Sequence, residues 1–145
     1  MSISDLDDIV VTRLRSAQQR YTRGRQRIVR VLRDADGPMT IPRILDADRR
    51  LAQSSVYRNL TVLEEVGVVH RIVTTDDFAH YELAEDLTEH HHHLVCSSCG
   101  VVVDFSLPDR FESDLDRVLR RAAKRASFDI DHHRLDLVGQ CTRCA

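Results

Sequence analysis

Two Cys-x-x-Cys pairs, Cys96–Cys99 and Cys141–Cys144, stand on either side of residues 100–140. Each pair can place two thiolates on one Zn²⁺ at about 2.3 Å, and two pairs close a tetrahedral S₄ site. The constraint is topological, because such a site ties the last residues of the chain back to the segment that carries Cys96. Closed sites of this kind are structural and contribute much of a small domain's folding free energy. A redox pair or buried free thiols are the alternatives, and the doubling of the motif favours zinc.

The second constraint lies directly upstream, in "EHHHHLVCSSCG" at 89–100. If the histidine run is extended, successive side chains point to opposite faces. His91 and His93 then share one face, and His90 and His92 share the other. Each pair is half of a metal site and needs further ligands from elsewhere. His70, His80, His132, His133 and nearby carboxylates can supply them, and His80 and Glu82 share a face of one strand. A solvated polyhistidine stretch is the alternative.

The charge is unevenly distributed. Residues 1–60 carry 12 Arg against 7 Asp and Glu, while residues 61–145 carry 9 Lys and Arg against 16 Asp and Glu, balances of +5 and −7. A basic front and an acidic, His- and Cys-rich back suit polyanion binding in one part and cation binding in the other. In the front half the spacing predicts helices over 3–20, 22–33, 40–48 and 54–65. Thr22 and Thr40 serve as caps, and Gly67 sits where the last of these helices ends. "VVHRIV" and "AHYEL" read as a hairpin around "TTDDF". In a basic segment this order is that of a winged helix-turn-helix, with the helix around 54–65 entering the major groove. In the back half, strands at "HHHHLVC" and "VVVDFS" precede a helix opened by Pro108, with Phe111, Leu115, Val118, Leu119 and Ala122 on one stripe. A third strand lies in "DIDHHRLDLVGQC". The expected class is α+β, with a winged-helix DNA-binding domain and hinge at 1–84 and a small α/β metal-binding dimerisation domain at 85–145. No apolar run reaches the roughly 20 residues a membrane span needs, and the N-terminus is acidic where a signal peptide would be basic. The cytoplasm is the expected compartment, and no membrane partner is expected.

The pattern His90-His91-His92-His93-Leu94-Val95-Cys96-Ser97-Ser98-Cys99-Gly100 resembles the ferric uptake regulator (Fur) family of bacterial metal-dependent repressors. "SSVYRNLTVLEEVGVV" at 54–69 is similar to that family's recognition helix and following strand, and "YTRGRQRIVRVL" at 21–32 to its N-terminal stretch. The resemblance implies a homodimeric, metal-loaded repressor on palindromic operator DNA. It places Ser54, Ser55, Tyr57 and Arg58 against the operator, Arg20 in the adjacent groove and Arg25 on a phosphate. It assigns Cys96, Cys99, Cys141 and Cys144 to structural zinc. A regulatory site would draw on Glu82, His91, His93 and Asp104, with His70 and His80 as further ligands. A second site would use His90, His92, Glu112 and His133. Two departures bear on the sensed metal. Pro38 stands near where many iron and peroxide sensors place a histidine, and Ala84 near the hinge cysteine of many zinc sensors. A nitrogen-rich site suits Zn²⁺, Ni²⁺ or Fe²⁺, and the affinity order favours Zn²⁺ over Fe²⁺ or Mn²⁺. Zinc sensing is therefore the expectation, with iron, manganese, nickel or peroxide sensing as alternatives.

Two other classes fit the sequence less well. A zinc hydrolase using Glu89 or Glu82 as base would need an open coordination position and a His-Glu-x-x-His or nucleophile motif, and none is present. A metal-storage or chaperone protein would leave the winged-helix pattern idle.

Overall fold

The computed structural model describes residues 1–74 and 78–145, so the centre of the expected "TTDDF" turn lies outside the described residues. Four helices open the chain: α1 (Ile3–Ser16), α2 (Arg23–Asp34), α3 (Ile41–Ala47) and α4 (Gln53–Glu65). Strands β1 (Val69–Val73) and β2 (Ala79–Leu83) follow, then a 3₁₀ turn at Glu85–Leu87. The back half comprises β3 (His92–Cys96), β4 (Val102–Phe105), α5 (Asp109–Arg125) and β5 (Asp136–Gly139).

Local chemistry sets these boundaries. Ser2 and Asp5 form a reciprocal capping box at the start of α1, and Thr22 Oγ1 accepts from the Arg25 amide at the start of α2. Helix α1 is shorter than expected because Gln18 takes a positive φ of 58°, which stops it well before residue 20. Gly67, with φ of +74°, ends α4 where a side chain would be strained. The "GPMT" segment does more than break a helix: Met39 and Tyr81 exchange backbone hydrogen bonds of 2.8 and 2.7 Å, adding an edge to the β1–β2 hairpin.

The apolar core lies in the front half. Leu6, Val10 and Leu14 of α1, Ile28, Val29 and Leu32 of α2, Ile44 of α3, and Val56, Leu60 and Leu63 of α4 are all buried there, with Leu83 and Leu87 beneath them. This packing leaves Tyr57 and Arg58 on the outer side of α4, with Tyr57 64% exposed. The back half has a different organisation. Its sheet runs β4-β3-β5, antiparallel on one side of β3 and parallel on the other. Helix α5 buries none of its residues, and Phe111 and Val118 of its apolar stripe are exposed, as are Leu94, Val103, Leu137 and Val138 on the strands. A single chain therefore stabilises its front half by apolar burial and leaves an apolar face open on its back half.

Leu60 is fully buried between the helices. Leu60→Ala should destabilise the protein by about 2–5 kcal/mol through lost transfer energy and the cavity left behind. The urea midpoint, with its slope unchanged, is the measurement.

Candidate metal centre

Three groups of ligand-type side chains converge in the back half, each with its ligand atoms within 4.8 Å of one another. The first is Cys96, Cys99, Cys141 and Cys144. Parallel pairing of β5 with β3, extended by the Ser97 amide donating to the Gly139 carbonyl at 2.7 Å, returns the C-terminus to the Cys96 turn. Cys99 and Cys141 sulfurs are 3.8 Å apart and no disulfide forms. A tetrahedron with Zn–S bonds of about 2.3 Å has S···S edges of about 3.8 Å, so the thiols fit that ion. Backbone amides of Cys99 and Cys141 donate to Cys96 Sγ and hold its thiol down at about 6, close to the thiolate form a metal needs.

The second group spans the two halves: Glu82 on β2, His91 ahead of β3, His93 on β3 and Asp104 on β4. His91 Nε2 and His93 Nε2 donate to Glu82 Oε2 at 3.0 and 3.2 Å, and Asp104 oxygens lie 3.6 and 3.9 Å from the same two nitrogens. Coordination bonds of about 2.0–2.2 Å give ligand edges of about 3.0–3.6 Å, so the four donors already approximate a coordination shell. Each imidazole is oriented from behind: His93 Nδ1 donates to Asp136 at 3.1 Å and His91 Nδ1 to the Glu89 carbonyl at 2.9 Å. That arrangement leaves both Nε2 atoms for a cation. Burial alone would raise the Glu82 carboxyl, yet hydrogen bonds and charge from His91 and His93 hold it at about 2. The Glu82 hydrogen bond lifts His91 to about 9 against the opposing effect of burial. Burial raises Asp104, whose Oδ1 is enclosed and finds no hydrogen-bond partner in the chain. Protons on the imidazoles thus supply positive charge where a divalent ion would otherwise do so.

The third group, His90, His92, Glu112 and His133, lies on the other side of the strand. His92 Nε2 donates to Glu112 Oε1 at 2.5 Å, and His90 and His133 Nε2 lie 3.3 and 3.6 Å from Glu112 Oε2. Glu112 Oε2 and His133 Nε2 are buried without a hydrogen-bond partner, so both are open to an ion or a water at this position. Strand alternation divides the four histidines although the regular strand begins only at His92.

Other expected residues fall elsewhere. His70 pairs across the hairpin with Glu82 and lines the same cavity of about 600 Å³, outside the four-donor shell. His80 is buried but is not brought to Glu82; it faces a different cavity, beside Cys99, Gly100 and Cys144. The shell is therefore not nitrogen-rich but holds two imidazoles and two carboxylates. Arg25 departs from the picture of a free surface cation: the residue is 8% exposed and its guanidinium donates to Asn59 Oδ1, the Arg20 carbonyl and Gln19 Oε1, so it braces α4 and the α1–α2 loop. Arg20, Ser54, Tyr57 and Arg58 are exposed, while the Ser55 hydroxyl is turned back onto the Ala52 carbonyl. Asp136 escaped the sequence reading. It reads as one more acidic residue in an alternating strand, and only the parallel register, His93 opposite Asp136, reveals it.

The family model for the Ferric uptake regulator family matches residues 16–138. The peroxide-responsive repressor PerR of Staphylococcus epidermidis is 30% identical over 138 residues, 92% of this chain and 87% of the relative. PerR of Staphylococcus aureus is also 30% identical, over 92% of this chain and 88% of the relative. Among solved structures, the Helicobacter pylori ferric uptake regulator superposes with a TM-score of 0.75 at 22% identity, covering 99% of this chain and 94% of that one. The Vibrio cholerae ferric uptake regulator superposes with a TM-score of 0.68 at 26% identity, over 88% and 96%. With its sequence matched over most of its length and its fold shared, the chain belongs to the ferric uptake regulator family, whose members are metal-responsive transcriptional regulators and not enzymes.

Proposed function

We propose that this chain is a zinc-responsive repressor that binds operator DNA as a metal-loaded homodimer. The observation that carries the reading is the set Glu82, His91, His93 and Asp104. Glu82 belongs to the hairpin packed on the winged-helix core, and the other three to the back-half sheet. All four donors meet one cation only when the halves are together, so metal selects that arrangement of the DNA-binding half. The four cysteines act as the structural zinc site, and His90, His92, Glu112 and His133 as a second cation site. The Helicobacter pylori regulator is described as having three functional metal-binding sites, in keeping with three groups here. The domains divide at 84/85. A second copy covers the open face of α5 and the back-half sheet, which pairs two α4 helices for successive major grooves. Tyr57, Arg58 and Ser54 read DNA from α4, with Arg20 in the adjacent groove.

Zinc is favoured by the affinity order for a site of imidazoles and carboxylates. Peroxide sensing is the second reading, because the curated relatives at 30% identity are named as peroxide-responsive repressors. The deciding experiment uses a duplex that the loaded protein selects from a random pool, titrated against buffered Zn²⁺, Fe²⁺, Mn²⁺ and Ni²⁺. Zn²⁺ should induce binding at the lowest free concentration, and His91→Ala with His93→Ala should abolish the response to every ion. A response that survives that double substitution removes the Glu82 cluster from the mechanism.

Arg58→Ala should weaken operator binding by about tenfold, through loss of about 1–3 kcal/mol of contact energy, with metal stoichiometry unchanged. Gel-shift titration beside metal analysis checks both halves of that statement. The raised His91 sets a pH dependence. An imidazole that takes up a proton below about 9 must release it before Nε2 can ligate, so protons compete with metal. Apparent affinity should therefore climb as pH rises towards 9 and fall in acid, by up to about tenfold per unit for one displaced proton. Chelator competition between pH 6 and 9 measures that slope.

A further inference from the structure

The 3₁₀ turn Glu85–Leu87 carries the chain from β2 to the histidine run, and its first two side chains reach different partners. Glu85 accepts a hydrogen bond from His90 Nδ1, and His90 Nε2 lies 3.3 Å from Glu112 in the third group of donors. Asp86 accepts from Arg13 Nη2 on α1. The other terminal nitrogen of Arg13, Nη1, donates to the Gly67 carbonyl at 2.6 Å. Gly67 is the residue that ends α4. One line of contacts therefore leads from the His90–Glu112 group to the C-terminal end of the helix that exposes Tyr57 and Arg58, and it bypasses Glu82. Leu87 anchors the turn itself, being 5% exposed in the front-half core.

We infer that Arg13, Glu85 and Asp86 are positioning residues that transmit occupancy of the His90–His92–Glu112–His133 group to α4. The inference rests on the regulator reading above. His90, once held at Nε2, presents its Nδ1–H to Glu85 in one orientation. Glu85 and Asp86 are consecutive, so restraining the first restricts the second. Arg13 then holds Asp86 and the end of α4 with one planar guanidinium, whose fork of donors suits two acceptors at once. Asp86 is 62% accessible and Arg13 27%, and an ion pair this open to solvent adds little to stability. Substitution there should alter the response and leave the fold intact.

The test measures operator binding by the full chain, with and without saturating Zn²⁺, for wild type, Asp86→Ala, Arg13→Ala and Arg13→Lys. Asp86→Ala and Arg13→Ala should weaken zinc-loaded binding about five- to tenfold, the ordinary scale of site-to-site coupling. Metal-free DNA affinity and Tm should stay at wild-type values. Arg13→Lys, which keeps the charge but loses the fork, should restore only part of the loss. In a His90→Ala background the Asp86→Ala effect should vanish, because members of one relay are not additive. By reciprocity, operator DNA should tighten Zn²⁺ at this group in wild type and not in Arg13→Ala. Equal weakening with and without zinc, additivity with His90→Ala, or no change in any variant would each overturn the relay. A wild-type protein with no zinc response would sink the regulator reading and the relay with it. A wild-type response retained in full by Arg13→Ala would sink the relay alone.

Discussion

The interaction on which the rest of the structure depends is the grip of two imidazoles on one carboxylate across the junction of the halves. Glu82 stands on the hairpin that the front-half core supports, and His91 and His93 stand on the approach to the back-half sheet. Burial disfavours a lone carboxylate there, and neighbouring positive charge reverses that preference. With protons the arrangement is an ion-pair cluster, and the same four donors could hold a divalent ion. The junction is therefore matched to positive charge.

The two halves use different physics. The front half is an apolar core that folds by burial, and its recognition helix owes its orientation to Val56, Leu60 and Leu63 packing inward. Arg25 adds a buried polar brace between α2, Asn59 of α4 and the loop that carries Arg20. The back half has little apolar interior in one chain. Its order comes from a three-stranded sheet, whose parallel strand β5 returns the last residues to the Cys96 turn, and from clusters of imidazole and carboxylate. It leaves Phe111 and Val118 of α5 and Leu94, Val103, Leu137 and Val138 of the strands exposed, apolar side chains that the second copy proposed above would cover.

Particular residues show how far the sequence could be read. The helix stripes of α1 and α4, the cap Thr22 and the terminating Gly67 follow from local rules of periodicity and backbone freedom, and the boundaries fall close to where those rules put them. The one clear overrun, α1 past Ser16, came from a positive φ at Gln18 that periodicity does not encode. Strand alternation correctly separates His91 and His93 from His90 and His92, because a period of two is a property of extended backbone alone. The same rule misleads at His80, which shares strand parity with Glu82 yet reaches a different cavity, beside Cys99 and Cys144. Arg25 looked like any exposed arginine of a basic helix, and its burial depends on Asn59 and Gln19, far away in sequence.

By itself the sequence determined the element order, the α+β class, the pairing of cysteines into one group and the two faces of the histidine strand. These are consequences of residue type and short-range spacing. Residue spacing alone did not decide which distant carboxylate meets which imidazole. The family resemblance grouped Glu82 and Asp104 with His91 and His93, and Glu112 with His92. The tertiary structure brings them together, and it alone adds Asp136 behind His93 and Glu85 behind His90. Those partnerships rest on strand register, on the parallel return of β5 and on the packing of the hairpin against the sheet. Such contacts join residues separated by tens of positions, and no local periodicity carries them.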